Sequence, residues 1–335
     1  MSCLRETFEE AEKRTLAPEA MRASETRGRL SYHEKCTVRT EFQRDRDKII
    51  HSNSFRRLKQ KTQVFLDPEG DHYRTRLTHT LEVSQIARTV ARALSLNEDL
   101  TESIALGHDL GHTPFGHAGE RMLNAIYEGG FKHNEQSLRI VDTLEKDGKG
   151  LNLTFEVRDG ILNHVGVGKS ATLEGRIVRH ADRIAYVNHD FDDAVRAGIL
   201  SESDLPEVVR KILGKDKSER INSAVLDLIE ASGERKDIVF SHEIGDAMEE
   251  FHEFMYETVY KNPVAKSQEG KAQEMLATLY RHFVSEPDKL PAEYRRTRER
   301  EGVKRAVCDY IAGMTDRYAL EVFKEIYIPK NWQVL

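Results

Sequence analysis

The densest group of chemically capable residues lies between Ala105 and His117. This segment, ALGHDLGHTPFGH, contains the adjacent pair His108-Asp109 and two more imidazoles, His112 and His117. Glycine and proline interrupt it, so it contributes little to a hydrophobic core. Adjacent imidazole and carboxylate groups supply nitrogen and oxygen donors for a metal ion. The sequence therefore predicts a metal-dependent reaction centre in this segment.

Two further donors lie far from this segment in the chain, His79 upstream and Asp182 downstream. With His108 and Asp109 they would form a site of two imidazoles and two carboxylates. Such a mixed site suits Mn²⁺, Fe²⁺, Mg²⁺ or Zn²⁺ better than a thiolate-preferring metal. The metal would polarise a phosphoryl group and lower the pKa of bound water. The alternative is that these are ordinary polar residues of helices, but that interpretation suits a lone His-Asp pair better than this larger set.

A second set of polar residues recurs every four positions, at Asp182, Tyr186 and Asp190. This spacing places all three side chains on one stripe of a helix. In the simplest interpretation, this stripe is only the solvated face of the helix. Arg183 and His189 already supply ordinary polarity elsewhere on the helix, so the stripe is better interpreted as an edge that contacts a ligand.

Proton transfer is the chemistry expected of His117 and Glu120. They are three residues apart at a predicted helix start, where the carboxylate can orient the imidazole or raise its pKa. Such a pair can protonate a leaving alkoxide or take a proton from water. His112 and His133 would add hydrogen bonds to phosphate oxygens. For His133, the spacing is equally consistent with a purely structural role.

The elements that must position these residues are predominantly helical. Apolar residues recur at helical spacing from Thr78 to about Leu96, and Asn97 is a candidate cap for the next helix, which ends at His108. A long helix is predicted over 173–197, ended by Gly198. Further helical stretches are predicted at 205–231, 243–260, 265–284 and 303–325. The expected fold is all-α, with at most a small β-hairpin around 60–75.

The composition excludes several classes of protein. The chain has 335 residues and a formal net charge of −6, which argues against a protein that simply coats nucleic acid. No apolar run approaches the roughly 18 residues that span a bilayer, and no secretory signal is recognisable, so no membrane partner is expected. The three cysteines, Cys3, Cys36 and Cys308, are far apart and favour a reducing, cytoplasmic compartment.

Basic residues are nevertheless dense in two places. The first basic cluster leads directly into the metal-binding region, and it consists of Arg39, Arg44, Arg46, Lys48, Arg56, Arg57, Lys59 and Lys61. Clustered arginines suit bidentate phosphate contacts, so an anionic small ligand is expected there. The second basic cluster consists of Arg295, Arg296, Arg298 and Arg300. Glutamates interleave with it, which favours a solvated helix face.

An ordered set of motifs between Arg39 and about Gly198 resembles the deoxyguanosine triphosphate triphosphohydrolase-like branch of the HD-domain phosphohydrolases. The motifs are RTEFQRDRD (39–47), SFRRL (54–58), KTQVF (61–65), RTRLTH (74–79), the His108 segment, FKHN (131–134), GLNLT (150–154) and ADRIAY (181–186). The C-terminal third matches more loosely. We therefore expect an N-terminal arm at 1–50, an HD helical core at 51–200 and a C-terminal helical subdomain at 201–335, packed on the core.

The resemblance implies hydrolysis of a deoxynucleoside triphosphate to a deoxynucleoside and inorganic tripolyphosphate, with water attacking the α-phosphorus. Its cofactor would be a divalent metal, Mn²⁺ or Mg²⁺ first, with Fe²⁺, Co²⁺ or Zn²⁺ as alternatives. The implied roles are metal binding by His79, His108, Asp109 and Asp182; catalysis by His117 and Glu120; phosphate contacts by Arg76, His112, His133 and Arg183; sugar stacking by Tyr186; a contact to the 3′-hydroxyl by Asp190; and a base or sugar contact by Gln63.

The resemblance also implies partners beyond the substrate. It predicts a homo-oligomer with nucleotide effector sites at subunit contacts, where the second basic cluster could lie, and weak binding of single-stranded nucleic acid. Two other functions stay open. One is a different HD phosphohydrolase activity, on a nucleoside monophosphate, a cyclic nucleotide or a guanosine alarmone. The other is a nucleic-acid-binding regulator in which hydrolysis is secondary.

Overall fold

The computed structural model describes residues 3–63, 74–234, 236–262 and 268–330, and in these ranges the chain is helical. Its β-structure there is limited to two isolated antiparallel bridges, Arg29–Thr154 and Thr62–Thr75. The all-α prediction is therefore confirmed. The predicted hairpin falls mainly on 64–73, outside the described residues, and the Thr62–Thr75 bridge joins the segments on either side. No helix among the described residues is long and apolar enough to cross a membrane.

Helices follow one another along the chain, and the connections between them range from one residue to the 25 residues 16–40 between α1 and α2. In chain order they are α1 (Leu4–Thr15), α2 (Glu41–Ile50), α3 (Asn53–Arg57), α4 (Arg76–Ala93), α5 (Glu98–Gly107), α6 (Gly116–Ile126), α7 (His133–Arg139), α8 (Phe155–Leu162), α9 (Leu173–Arg196), α10 (Glu207–Ile212), α11 (Lys217–Ala231), α12 (His242–Met255), α13 (Glu269–Ser285), α14 (Arg295–Glu301), α15 (Val303–Gly313) and α16 (Asp316–Tyr327). Single π-helical turns extend α7 over Ile140–Leu144 and α12 over Tyr256–Tyr260.

Capping residues explain where the helices that carry the predicted metal donors begin. The side chain of Asn97 accepts a hydrogen bond from the backbone N–H of Leu100 at 3.1 Å, so the predicted start of α5 is confirmed. Thr172 caps α9 in the same way. The predicted end of α9 is also confirmed, because Gly198 follows it with φ of +69°.

Two of the predicted C-terminal helices were wrong in extent. The stretch 205–231 is divided into α10 and α11 at Gly214, whose φ of +129° is incompatible with a continuing helix. The stretch 303–325 is divided into α15 and α16, because the side chain of Thr315 accepts a hydrogen bond from the N–H of Tyr318 at 3.2 Å and starts a new helix. Apolar periodicity continues through the second break, at Ile311, Met314 and Tyr318, so it did not reveal that break. The first break was visible, because residues 214–220 contain no apolar side chain.

Among the described residues, the buried apolar side chains form two clusters. The larger cluster is built on α4, α5 and α9, with Val90, Ile104 and Ile184 fully buried. The smaller cluster joins α6 to α13 and α15. Leu110 belongs to the larger cluster and Phe115 to the smaller one, so the histidine-rich segment passes from one to the other. The polar side chains of this segment therefore lie between the two apolar clusters.

The predicted division of the chain at residue 200 stays a prediction. Helices α10, α11 and α12 contribute Val209, Leu228 and Phe251 to the larger cluster, together with the helices of the predicted core. The C-terminal helices α13 and α15 contribute to the smaller cluster instead, where α13 contacts both α6 and α15. The apolar residues after position 200 are therefore divided between the two clusters.

Candidate active site and metal centre

Three of the four predicted metal donors converge on one point. His79 projects from α4, Asp182 from α9, and His108 caps the end of α5. Asp182 Oδ1 lies 3.1 Å from His79 Nε2 and 3.8 Å from His108 Nε2. One ligand atom from each of the three lies within 4.8 Å of the others. Helices distant in sequence thus bring two imidazoles and a carboxylate within reach of a single cation.

The hydrogen bonds of His108 test whether these residues fit a metal ion. Its Nδ1 lies 2.5 Å from the carbonyl oxygen of Ala105, which can only accept, so Nδ1 carries the proton. The other nitrogen, Nε2, is buried without a hydrogen-bond partner and has its lone pair free. Metal-binding histidines typically have this arrangement, with one nitrogen donating to a carbonyl and the other facing the metal. The donor set therefore fits a divalent cation.

Asp109, the fourth predicted donor, lies beside these three residues and also contacts two other side chains, those of His112 and Arg76. Its Oδ1 lies 3.5 Å from His108 Nε2 and 3.0 Å from His112 Nε2, and its Oδ2 accepts a hydrogen bond from Arg76 Nη1 at 3.0 Å. Burial alone would raise the pKa of Asp109, but the adjacent imidazoles and the Arg76 guanidinium hold it well below its usual value. The carboxylate is therefore ionised, the form that binds cations.

A second group of side chains is centred on Glu120. Its Oε1 lies 3.0 Å from His133 Nδ1, and its Oε2 lies 3.4 Å from His117 Nδ1. Burial would raise the pKa of Glu120, but the hydrogen bonds with His117 and His133 outweigh burial and lower it strongly. The His133 ring also stacks on that of His112, with centroids 4.0 Å apart. His133, whose role the spacing left open, therefore belongs to the same group as the predicted proton-transfer pair.

One cavity of about 610 Å³ opens onto both groups. The predicted residues that line it are Gln63, Arg76, His79, Asp109, His112, His117, Glu120, His133, Asp182, Tyr186 and Asp190. His108 is fully buried behind this wall, where it faces Asp109 and Asp182. The predicted lining residues of α4, α6, α7 and α9, and of the segments between helices, are therefore brought to one concave surface.

Arg183 is the predicted substrate contact that the fold does not bring to the cavity. Its guanidinium forms an ion pair with Glu249 on α12, and its side chain is partly exposed. A phosphate contact by Arg183 would require this pair to open.

Asp190 lies at the end of the cavity that is lined by α12 and the π-helical turn after it. Its Oδ2 accepts a hydrogen bond of 2.5 Å from the hydroxyl of Tyr260, while Oδ1 is buried without a partner. Burial raises the pKa of Asp190 to about 7. Tyr186 lines the cavity between Asp182 and Asp190 and meets the ring of His252 edge-on at 6.0 Å. This end of the cavity thus offers aromatic surface and one acceptor with a free lone pair.

The wall formed by α12 and the turn that follows it was not predicted from the sequence. His252, Tyr256 and Tyr260 all line the cavity. Their spacing of four residues is the same as that of Asp182, Tyr186 and Asp190, so the signal was present. It was not singled out because a tyrosine at helical spacing is usually a core residue. The π-helical turn Tyr256–Tyr260 lies in this wall, and such turns often occur at functional sites.

Comparison with known protein families gives two matches. The HD domain matches residues 76–187, and the phosphohydrolase-associated domain matches residues 238–325. The first range contains the four predicted metal donors, and the second contains His252, Tyr256 and Tyr260. Most of the cavity wall therefore lies within matched regions, while Gln63 and Asp190 lie outside them.

The chain is also similar to curated proteins over nearly its whole length. A deoxyguanosinetriphosphate triphosphohydrolase-like protein from Caldanaerobacter subterraneus subsp. tengcongensis is 56% identical, over 98% of this chain and 97% of its own. A protein of the same description from Clostridium perfringens is 51% identical, over 98% of each chain. Among solved structures, a hypothetical protein from Aquifex aeolicus aligns with a TM-score of 0.48 at 18% identity, over 85% of this chain and 68% of that one.

Proposed function

The chain belongs to the deoxyguanosinetriphosphate triphosphohydrolase-like family of HD-domain, metal-dependent phosphohydrolases, and on that premise we propose that it hydrolyses deoxynucleoside triphosphates. The products are the deoxynucleoside and inorganic tripolyphosphate. Water attacks the α-phosphorus, the bond from this phosphorus to the 5′-oxygen breaks, and the 5′-oxygen leaves with a proton.

The observation that carries this proposal is the order of side chains along α9. Asp182 is one of the proposed metal donors, Tyr186 lies about one helical turn further along α9, and Asp190 lies about two turns further. All three line the same cavity. These positions are separated by about 6 Å and about 12 Å along the helix axis. A nucleotide presents the same order of chemistry, a charged phosphate followed by the faces and hydroxyl group of its sugar. One helix edge therefore provides matching contacts for both parts.

The proposed metal donors and Arg76 bind and orient the phosphates. The donors are His79, His108, Asp109 and Asp182, and a divalent cation held by them supplies Lewis-acid polarisation of a phosphoryl oxygen. Arg76 is buried at the cavity wall and keeps its Nε without a partner, so it can donate to a phosphate oxygen. We propose Mn²⁺ or Mg²⁺ as the cation, and the cytoplasm as the location of the activity.

His117 and Glu120 move the proton. The His117 side chain is 66% exposed, so it can reach a bound substrate and exchange protons with water. Glu120 is held ionised by its two imidazole partners, and its carboxylate orients the ring of His117 through the contact with Nδ1. His117 donates a proton to the leaving 5′-oxygen, and the proton lost by the attacking water replaces it. His133 and His112 line the same wall as phosphate contacts.

Tyr186 and Asp190 select the sugar. A tyrosine ring packed against C2′ leaves no volume for a 2′-hydroxyl, and an unpaired buried hydroxyl costs about 1–3 kcal/mol. Asp190 Oδ1, buried without a partner, accepts a hydrogen bond from the 3′-hydroxyl. Gln63 lines the cavity with its Oε1 also unpartnered, and it contacts the base or the sugar. The predicted homo-oligomer, nucleotide effector and single-stranded nucleic acid partners stay predictions.

Product analysis tests this function. The protein is incubated with each of the four deoxynucleoside triphosphates and four ribonucleoside triphosphates, with Mn²⁺ or Mg²⁺, and the products are separated by anion-exchange chromatography. We expect deoxynucleoside and tripolyphosphate from at least one deoxynucleotide, and little turnover of the ribonucleotides. Release of orthophosphate or pyrophosphate instead would support another HD phosphohydrolase activity and would contradict the proposal.

A further inference from the structure

Asp316 connects two chain segments that form one wall of the catalytic cavity. It is the first residue of α16, and its side chain is buried. Its Oδ2 accepts hydrogen bonds from the backbone N–H and the hydroxyl of Thr62, at 3.0 and 2.7 Å. Its Oδ1 accepts a hydrogen bond from the backbone N–H of Phe115 at 2.9 Å. These partners are 254 and 201 residues away, so one carboxylate joins three distant parts of the chain.

The simplest role for this carboxylate would be to stabilise the start of its own helix. A negative charge in the first turn interacts favourably with the helix dipole. The cap of α16 is however supplied by Thr315, and both oxygens of Asp316 accept hydrogen bonds from other segments. A carboxylate that served only its own helix would not need to be buried against Thr62 and Phe115. The contacts therefore indicate a role at the catalytic cavity.

Phe115 depends on an outside partner because of its backbone conformation. It precedes α6 with φ of +60°, and Gly116 follows with φ of +54°. A non-glycine residue in the left-handed region is strained, and it keeps this conformation only where its surroundings hold it. The phenyl side chain has no polar atom with which to cap α6, and no side-chain cap is present there. Asp316 therefore fixes the turn from which α6 starts.

This turn lies directly against residues that we assign to the substrate. A Cβ atom added at Gly116 would lie 3.1 Å from Nη2 of Arg76 and 3.1 Å from the carbonyl oxygen of Gln63. The next residue is His117, whose side chain is 66% exposed and whose Nδ1 has its partner, Glu120, on the same helix. The place of the His117 ring in the cavity is therefore set mainly by where α6 begins.

Lys61 makes a second connection at the same place. It is buried and donates hydrogen bonds to the carbonyl oxygens of His112 and of Ala312, which lies near the end of α15. The chain between α15 and α16 is thus attached both to the segment before Gln63 and to the histidine-rich segment. Neither Lys61 nor Asp316 lines the catalytic cavity, so each can act on it only through other residues.

We propose that Asp316 is a positioning residue for the proton transfer. By holding Phe115 in the left-handed turn, it places His117 where the imidazole reaches the leaving 5′-oxygen. This inference rests on the proposed function, in which His117 donates a proton to that oxygen. It adds that the C-terminal helix α16 is required for this step, although none of its residues lines the cavity.

A change of leaving group tests the proposal. The kcat of the Mn²⁺-loaded protein is measured with the preferred deoxynucleoside triphosphate and with its analogue in which sulfur replaces the 5′-oxygen. A thiol is more acidic than an alcohol, so the sulfur leaves as a thiolate and needs no proton from His117. General damage to the fold slows both substrates, whereas a misplaced His117 slows only the oxygen substrate.

Asp316→Asn keeps the side-chain shape but replaces one acceptor with a donor. We expect it to lower kcat at least tenfold for the oxygen substrate and to leave kcat within threefold for the sulfur analogue. His117→Ala should give the same difference, with a larger loss. Equal losses for the two substrates, or no loss, would overturn the proposal. Should Asp316→Asn not fold, Thr62→Val decides instead, because it removes a single hydrogen bond; we expect a loss of at least threefold, confined to the oxygen substrate.

Asp45→Asn is the matched control. Asp45 is also buried, and its Oδ2 accepts hydrogen bonds from the backbone N–H and the hydroxyl of Thr154, both at 2.7 Å, but it does not line the catalytic cavity. We expect this variant to have a lower Tm and an unchanged kcat, within twofold, for both substrates at a temperature where it is folded. A loss confined to the oxygen substrate in Asp45→Asn would overturn the proposal.

Hydrogen exchange followed by mass spectrometry separates this inference from the proposed function, since it needs no substrate. Asp316→Asn should speed the exchange of the backbone amides of residues 113–117 at least tenfold and leave those of α9 within twofold. Unchanged exchange in 113–117 would overturn the positioning role, whatever the protein hydrolyses. Failure of the unmodified protein to hydrolyse any deoxynucleotide would contradict the proposed function instead.

Discussion

The hydroxyl of Tyr260 donates a hydrogen bond of 2.5 Å to Oδ2 of Asp190. Tyr260 ends the π-helical turn after α12, and Asp190 lies in the third quarter of α9, so the bond joins the two walls of the catalytic cavity. It uses one carboxylate oxygen and leaves Oδ1 without a partner. Tyr260 thereby holds Asp190 in the orientation in which its remaining oxygen can meet a sugar hydroxyl.

Replacing Tyr260 with phenylalanine should therefore weaken the recognition of the 3′-hydroxyl. We expect Tyr260→Phe to lower kcat/KM for the preferred deoxynucleotide about tenfold, which corresponds to roughly 1.4 kcal/mol and is the size of one hydrogen bond. The loss should be mainly in KM, because Tyr260 contacts neither the proposed metal donors nor the proposed proton-transfer pair. Steady-state kinetics with the deoxynucleotide measure it.

A dideoxynucleotide distinguishes this positioning role from general damage. Without a 3′-hydroxyl, such a substrate gains nothing from an oriented Asp190, so Tyr260→Phe should leave its kcat/KM within about twofold. An equal loss for both substrates would mean that Tyr260 only supports the fold.

The sequence was most informative where chemistry and local structure share one short segment. The pair His108-Asp109 with its flanking glycines predicted the centre of the cavity, and Asn97 predicted the start of the helix that presents it. Both inferences depend on contacts between residues that are close in the chain. The Thr315 cap is equally local, yet it was missed because the apolar periodicity continued across it.

The features that the sequence did not predict depend on contacts between residues that are distant in the chain. Arg183 directly follows Asp182 in the chain, but neighbouring residues of an α-helix point about 100° apart, and Arg183 instead meets Glu249 of a helix far along the chain. Tyr260 and Asp190 are 70 residues apart, so nothing local links them. Arg57 and Arg296 line one cavity of about 500 Å³ for the same reason: each basic cluster was visible in the sequence, but their proximity was not.

The proposed metal centre predicts a stabilisation that depends on Asp182. Since a ligand that binds only the folded protein stabilises it, Mn²⁺ at 100 times its Kd should add about 2.7 kcal/mol and raise the Tm by several degrees over protein in EDTA. Asp182→Asn keeps the side-chain shape but removes the charged donor, and we expect it to abolish this shift. Differential scanning fluorimetry with and without Mn²⁺, and metal content by mass spectrometry, are the measurements.

Asp246→Asn is the matched control for this comparison, because Asp246 also pairs with a histidine, His242, at 2.9 Å, but on the exposed face of α12. This variant should keep the full shift in Tm. A normal metal content in Asp182→Asn would remove Asp182 from the donor set.

The exposed position of His117 allows its chemical role to be separated from stability. We expect His117→Ala to lower kcat by a factor of about 10²–10⁴, the usual contribution of a general acid or base. Its Tm and metal content should stay unchanged, since the side chain is 66% exposed and contacts none of the metal donors. His242→Ala, which removes another exposed histidine paired with a carboxylate, should leave kcat unaffected. An unchanged kcat in His117→Ala would show that another group transfers the proton.

Glu174, at the start of α9, predicts a pH dependence of stability that is independent of catalysis. Its Oε1 accepts hydrogen bonds from the backbone N–H groups of Met21 and Asn97, at 2.9 Å and 3.1 Å, while Oε2 is buried without a partner. Burial raises the pKa of Glu174 from 4.5 to about 7. The folded state therefore favours the protonated carboxyl, and the associated stability is complete below pH 4.5 and is lost as the pH rises towards 7.

Glu174→Gln should remove this dependence, because the amide oxygen can accept both backbone hydrogen bonds and the side chain has no charge to bury. Relative to the unmodified protein, we expect the variant to gain about 1–3 kcal/mol in the free energy of unfolding at pH 8, and close to nothing at pH 4.5. Urea unfolding followed by circular dichroism at a series of pH values measures the difference. Glu230→Gln, on the exposed face of α11, should change stability by less than about 0.5 kcal/mol at every pH. If the gain in Glu174→Gln were the same at both ends of the pH range, it would come from altered packing, and Glu174 would not be a buried group that titrates between them.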